Sequence, residues 1–160
     1  MQTTKQYAFV TLWKIEAPVT AVWPVIHASQ DWPQWWKALR QVKTIRPGDT
    51  AGVGAITEAI WRTALPYNIT FQFETTEVQP LQRIAGHAFG ELEGQGTWSF
   101  TEENGVTTVR YDWQVATRKG WMNRLAFLLE PAFRWNHDVV MRWGGEGLAK
   151  RLNARLLHCS

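Results

Sequence analysis

Asn136 and His137 stand side by side in a helical pattern that runs from Trp121 to about Leu157. At about 100° per residue they project on either side of the centre of one stripe. That stripe is otherwise apolar or small: Met122, Ala126, Leu129, Phe133, Val140, Gly144, Gly147 and Leu148. A histidine in apolar surroundings has its pKa lowered by desolvation and serves as a neutral base. With Tyr111 as the best-placed hydroxyl, His137 could take a proton from a carbon beside a carbonyl. Tyr111 or Asn136 would then hydrogen-bond the developing enolate. The same side chains can do something simpler and orient one polar group of a bound molecule. An unpaired buried donor or acceptor costs roughly 1–3 kcal/mol, so either the core or a ligand must satisfy this pair.

The opposite side of the helix carries Arg124, Trp135, Asp138, Val139, Arg142 and Glu146, as a solvent face should. Pro131 removes a backbone hydrogen bond within the pattern, so a short helix from Trp121 to Glu130 followed by the main one is an equal expectation. What precedes the helix must form its groove. Tyr7–Ile15 alternates, with Phe9, Thr11, Trp13 and Ile15 on one face, and reads as a first strand. Two short helices follow, Val19–Ile26 behind Pro18 and another opened by Asp31 and Pro33. Six further strands are expected near 41–46, 55–63, 67–78, 83–89, 94–102 and 107–117, with Asn104-Gly105 as a hairpin turn.

Alternation assigns the inner face of these strands. Tyr67, Ile69, Phe71 and Phe73 share one face, Trp98 and Phe100 another, and Val109, Tyr111, Trp113 and Val115 a third. Asn68, Gln72, Glu74, Arg110, Asp112 and Gln114 then meet water. For Arg83–Phe89 the pattern fits either face, so the direction of His87 stays open. The expected architecture is α+β: a curved seven-stranded antiparallel sheet wrapped around a long C-terminal helix, in a single domain spanning 1–160.

Composition narrows the function classes. Eleven tryptophans in 160 residues build either an aromatic-rich core with a few rim tryptophans or an aromatic-lined pocket. The net charge of +3 is unevenly spread, with eight Lys/Arg against three Asp/Glu from Arg118 onward. Such an excess usually marks a solvated helix face; an anionic partner or a membrane surface is the other reading. Nucleic acid is not expected, because there is no basic run and no binding motif. No apolar stretch has the length of a signal peptide or a membrane span, so a cytoplasmic location without stable membrane insertion is expected.

Cys159 is the only cysteine, which excludes an intrachain disulfide and a cysteine metal cluster. His27, His87, His137 and His158 lack metal-ligand spacing, and no metal or cofactor is expected. His27 should cap the first short helix or face water. Gly48-Asp49-Thr50-Ala51-Gly52-Val53-Gly54 has the glycines of a phosphate loop but precedes a strand, so it reads as a turn whose glycines could line a cavity rim. The Asn68-Ile69-Thr70 sequon is silent without secretion.

Several strings then fall in a familiar order. They are Ile15-Glu16-Ala17-Pro18 with Val22-Trp23, Trp32-Pro33 with Trp36, and Gly52-Val53-Gly54. Further on come Gly90-Glu91-Leu92-Glu93-Gly94 with Gly96 and Trp98, Val109-Arg110-Tyr111, and Asn136-His137 with Met141 and Gly147-Leu148. The chain resembles the START-like, helix-grip superfamily (SRPBCC), and within it the polyketide cyclase/dehydrase and lipid transport group. The resemblance implies a sheet gripping the C-terminal helix around an elongated cavity for a hydrophobic ligand. It implies no reaction, because members of the superfamily differ in what they do.

The expected ligand-contacting set is Trp36, Trp61, Phe71, Phe73, His87, Trp98, Tyr111, Trp113, Phe133, Asn136, His137 and Val140, with Trp36 as a gate at the mouth. His137 and Tyr111 are the catalytic candidates if there is turnover. Three classes of function follow. The first is a carrier or sensor of a small hydrophobic or aromatic molecule such as a lipid or polyketide. The second is a cyclase/dehydratase-like enzyme. The third is a protein-interaction module acting through Trp32, Trp35 and Trp135. No Ser/His/Asp or Cys/His constellation and no inner-face carboxylate is evident, so catalysis would rest on one or two groups, and binding asks for less.

Overall fold

The computed structural model describes residues 5–160; of the polar start of the chain, positions 1–4 lie outside them. Strand β1 (Gln6–Ile15) is followed by helix α1 (Val19–His27) and a 3-10 helix (Ser29–Gln34). Strands β2 (Leu39–Arg46), β3 (Ile56–Arg62), β4 (Asn68–Gln79), β5 (Arg83–Gly90), β6 (Leu92–Glu103) and β7 (Val106–Thr117) come next. The chain closes with α2 (Gly120–Arg124), α3 (Ala126–Arg151) and β8 (Leu156–Cys159). All eight strands form one sheet in the order β2-β3-β4-β5-β6-β7-β1-β8, and the paired neighbours are antiparallel.

The sheet has one strand more than the expected seven. β8 was hidden in the tail of the helical pattern, which ends at Arg151 and not near Leu157. Asn153 reverses the chain with φ 50°, a left-handed conformation that asparagine tolerates just past a helix end. β8 then covers the outer edge of β1, with Trp13 opposite Cys159.

The helix break expected at Pro131 falls instead at Leu125, between α2 and α3. Pro131 sits in the second turn of α3, where the bond it forgoes belongs to the carbonyl of Phe127, a residue 76% exposed. The segment opened by Asp31 is a 3-10 helix with Ala28 as its cap, so Asp31 lies in its first turn.

Helix α3 lies across the sheet with its two halves packed differently. Toward its C-terminus Gly144, Gly145 and Gly147 bring the backbone against three indoles. A Cβ on Gly144 would stand 2.5 Å from Trp36 Cε2, and one on Gly147 would stand 1.9 Å from the carbonyl oxygen of Trp35. The core there joins Trp13, Ile15, Val22, Ile26, Trp36, Trp98 and Leu148. Toward its N-terminus the helix meets the sheet through a second cluster, which includes Tyr7, Phe71, Trp113, Met122 and Phe133. Glu130 accepts hydrogen bonds from Lys5 and Arg134, which ties this end of α3 to the start of β1.

Candidate ligand cavity

The glycine-bearing half of α3 packs tightly, and space remains under its other half. A cavity of about 130 Å³ opens there between α3, α2 and the inner face of β1, β3, β4 and β7. Its walls are apolar and mostly aromatic, including Phe9, Trp61, Phe71, Trp113 and Phe133. A second space of about 450 Å³ lies between the α1–3-10 connection and strands β2 to β7. Trp61, Phe71 and Tyr111 border both, so these three rings are the partition between them. The Trp61 and Phe71 rings stack at 6.1 Å, and Tyr111 stacks on Trp98 at 4.1 Å.

Asn136 and His137 both reach the first cavity, with different duties. The Asn136 side-chain carbonyl accepts the backbone N–H of Ala64 at 2.7 Å, and its amide donates to the Tyr67 hydroxyl at 3.4 Å. Asn136 thus secures the β3–β4 connection, and the core satisfies it. Among the described residues His137 is unpaired: neither ring nitrogen has a hydrogen-bond partner, and the ring stacks on Phe9 at 3.9 Å. Its approach to the exposed Asp138 is 3.8 Å, too long for a hydrogen bond. Burial, with a smaller contribution from the Arg134 charge, pushes the His137 pKa down to about 4. The imidazole is therefore neutral at pH 7, with one donor and one acceptor unused.

Two more polar atoms of the lining residues are shielded from water and lack partners among the described residues, the Tyr7 hydroxyl and the Trp61 indole N–H. Burial raises the Tyr7 pKa, so its hydroxyl keeps its proton. An apolar chamber whose walls include three unpartnered polar side chains can hold a molecule that is mostly hydrocarbon and carries oxygen at a few points. Tyr7 is a contributor absent from the expected set. The signal was present, because the alternation of β1 extends back to it.

The remaining candidates separate cleanly. Trp61, Phe71, Tyr111, Trp113, Phe133, Asn136, His137 and Val140 come together around the first cavity, while Phe73 and Trp98 border the second. Trp36 borders neither and is no gate. It is 1% exposed, its indole donates to the Val140 carbonyl at 2.9 Å, and its ring fills the space left by Gly144. His87 points away from the cavities, since β5 turns it to the outer face, 3.6 Å from Glu74. The glycine-rich turn does line a rim: Gly48 and Gly52 border the second space, where the His27 ring meets the Ala51 carbonyl at 2.9 Å.

Tyr111 and His137 do not converge. The Tyr111 hydroxyl lies over β6, 2.8 Å from where a Cβ on Gly96 would stand. The His137 ring lies over Phe9 of β1, with Trp113 of β7 paired to both Gly96 and Phe9 between them. Two strand spacings, roughly 10 Å, separate the strands beneath the two groups. Burial also holds the Tyr111 phenol well above its ordinary pKa, so it keeps its proton and could not serve as a base. Among the described residues no group of three or more His, Cys, Asp or Glu could hold a metal ion, and no helix is long and apolar enough to cross a membrane.

An open antiparallel sheet gripping a long C-terminal helix over an internal cavity defines a helix-grip protein. The chain belongs to the polyketide cyclase / dehydrase and lipid transport family, whose model matches residues 9–157. No curated protein sequence matches it. Among solved structures it is similar to the Zhui aromatase/cyclase from a Streptomyces species, at 12% identity and a TM-score of 0.77, covering 93% of this chain and 94% of that one. It also matches the di-domain ARO/CYC BexL, at 17% identity and a TM-score of 0.73, with 94% of this chain covered. The chain spans about half of that protein, 51% of its length. A START superfamily protein from Mycobacterium smegmatis matches at 9% identity and a TM-score of 0.68, over 94% and 98% of the two chains. Identities this low speak for the fold alone.

Proposed function

We propose that the protein binds one small, largely apolar, ring-bearing molecule in the cavity under the N-terminal half of α3, as a carrier or sensor. The observation that supports this reading is the set of unpartnered polar atoms on Tyr7, Trp61 and His137 in an otherwise apolar wall. Aromatic walls contribute affinity through burial, at about 25 cal/mol per Å². The three polar groups select a ligand with oxygen acceptors, because the indole can only donate. A lipid or a polyketide carrying carbonyl or hydroxyl groups has this chemistry. Rotation of the Trp61–Phe71–Tyr111 partition would join the two spaces and admit a longer molecule.

The test is native mass spectrometry of freshly purified protein, followed by organic extraction. A defined hydrophobic species near one-to-one stoichiometry, lost in the Trp61→Phe variant, supports the reading. A protein that carries nothing and takes up no lipid or aromatic polyketide offered in excess sinks it.

Cyclase/dehydratase-like turnover is the second reading, and the free, neutral His137 imidazole favours it. Here His137 would act as the base without Tyr111, and the enolate would draw on the Trp61 N–H or the Tyr7 hydroxyl. Incubation of the extracted ligand with the protein separates the two: a changed product mass that His137→Ala abolishes means turnover.

A further inference from the structure

Of the nine exposed large apolar side chains among the described residues, four fall within eight positions at the α2–α3 junction: Trp121, Leu125, Phe127 and Leu128. Trp135 is a fifth, 54% exposed and two helical turns beyond Leu128 on the same side of α3. Together these side chains expose on the order of 500 Å² of apolar surface, at the upper end for a soluble monomer. The interaction surface expected at Trp32, Trp35 and Trp135 is therefore displaced: Trp35 is buried and the Trp32 indole donates to the Ile26 carbonyl. Only Trp135 remains outside.

We propose that this junction is a docking surface for a bilayer bearing anionic lipids. Between Arg118 and Leu129 the sequence has three cations, Arg118, Lys119 and Arg124, and no carboxylate. Arg118 and Lys119 lean on Glu93 and Glu91, and Arg124 has no ion pair among the described residues. Basic residues beside exposed Trp, Phe and Leu are the composition of a segment that lies in the headgroup region without spanning. A second copy of the chain is the poorer occupant, since a twofold contact would bring Arg124 toward its own like charge.

The surface is also continuous with the cavity. Met122 lines the cavity from the inner side of α2, and its neighbour Trp121 points outward. The Tyr67 ring lines the cavity too and meets Trp121 edge-on at 5.9 Å. An apolar molecule leaving the bilayer here would pass from lipid to aromatic wall. The docking surface goes beyond the cavity-binding reading and does not depend on it.

The test is flotation with vesicles of phosphatidylcholine alone and of equimolar phosphatidylcholine and phosphatidylglycerol, using protein stripped of bound molecules. The wild type should float with the mixed vesicles, and added salt should weaken it. Phe127→Ser with Leu128→Ser should cut vesicle binding about tenfold or more. Arg124→Glu should weaken binding to the mixed vesicles only. Because these side chains are exposed, circular dichroism and Tm should not change. No flotation at low salt, or undiminished flotation of the double variant, overturns the proposal. So does a lipid-free dimer in sedimentation that the double variant dissolves, because the surface then belongs to a second copy. An empty cavity in mass spectrometry would sink the ligand reading and leave this result standing.

Discussion

Tyr7 and His137 hold polar atoms where the folded chain has no use for them. An unpartnered buried hydroxyl costs roughly 1–3 kcal/mol, so Tyr7→Phe should stabilise the empty protein by about 1 kcal/mol while weakening ligand binding. Thermal unfolding with and without extracted ligand checks both signs; a variant that loses stability would show that the hydroxyl has a partner. His137 makes stability depend on pH. Its folded pKa of about 4 lies below the 6.5 of a free imidazole, so between these values the unfolded chain takes a proton that the folded chain refuses. The stability contributed by keeping it neutral is complete above about pH 6.5 and falls as pH drops toward 4, by roughly 3 kcal/mol over the window. His137→Phe should flatten Tm against pH between those limits. An unchanged slope would mean that other groups set it.

At the scale of elements, α3 owes its seat to residues without side chains. Gly147→Ala would drive a Cβ into the Trp35 carbonyl, a backbone atom that cannot swing aside, and should cost about 1–3 kcal/mol. Gly120→Ala, at a position with nothing within 4 Å, is the control and should leave Tm unchanged. Such contacts could not be read in advance, because a glycine's meaning lies in what approaches it, here Trp13, Trp35 and Trp36 from distant segments. For the same reason Trp36 reads as a gate in the sequence, whereas in the fold it packs against Gly144. Strands β1 to β7 and the inward faces of Tyr67–Phe73 and Val109–Val115 were legible, because period-two alternation survives wherever one face is buried. β8 was not, since four residues behind a helix carry too little pattern. His87 illustrates the limit of alternation: Ala85, His87 and Phe89 fit either face, and only the pairing of β5 with β4 and β6 decides.

Taken whole, the molecule has a clamp and a grip. The clamp is the indole-rich core closed by the glycine-bearing half of α3, and the grip is the cavity half, roofed by α2 and the first turns of α3. Where close contacts are continuous, backbone amides open only with global unfolding; where a helix spans a void, local opening is cheaper. Hydrogen exchange should therefore find amides from Gly144 to Arg151 among the slowest, and those from Gly120 to Phe133 exchanging through a lower-energy opening. A ligand in the cavity supplies the missing contacts to the second group alone, so protection should rise there and stay level from Gly144 onward. Equal protection in both halves of the empty protein would mean that the cavity is no weak point. A ligand that protects only the strands of the second space would place the binding site behind the Trp61–Phe71–Tyr111 partition instead of under α3.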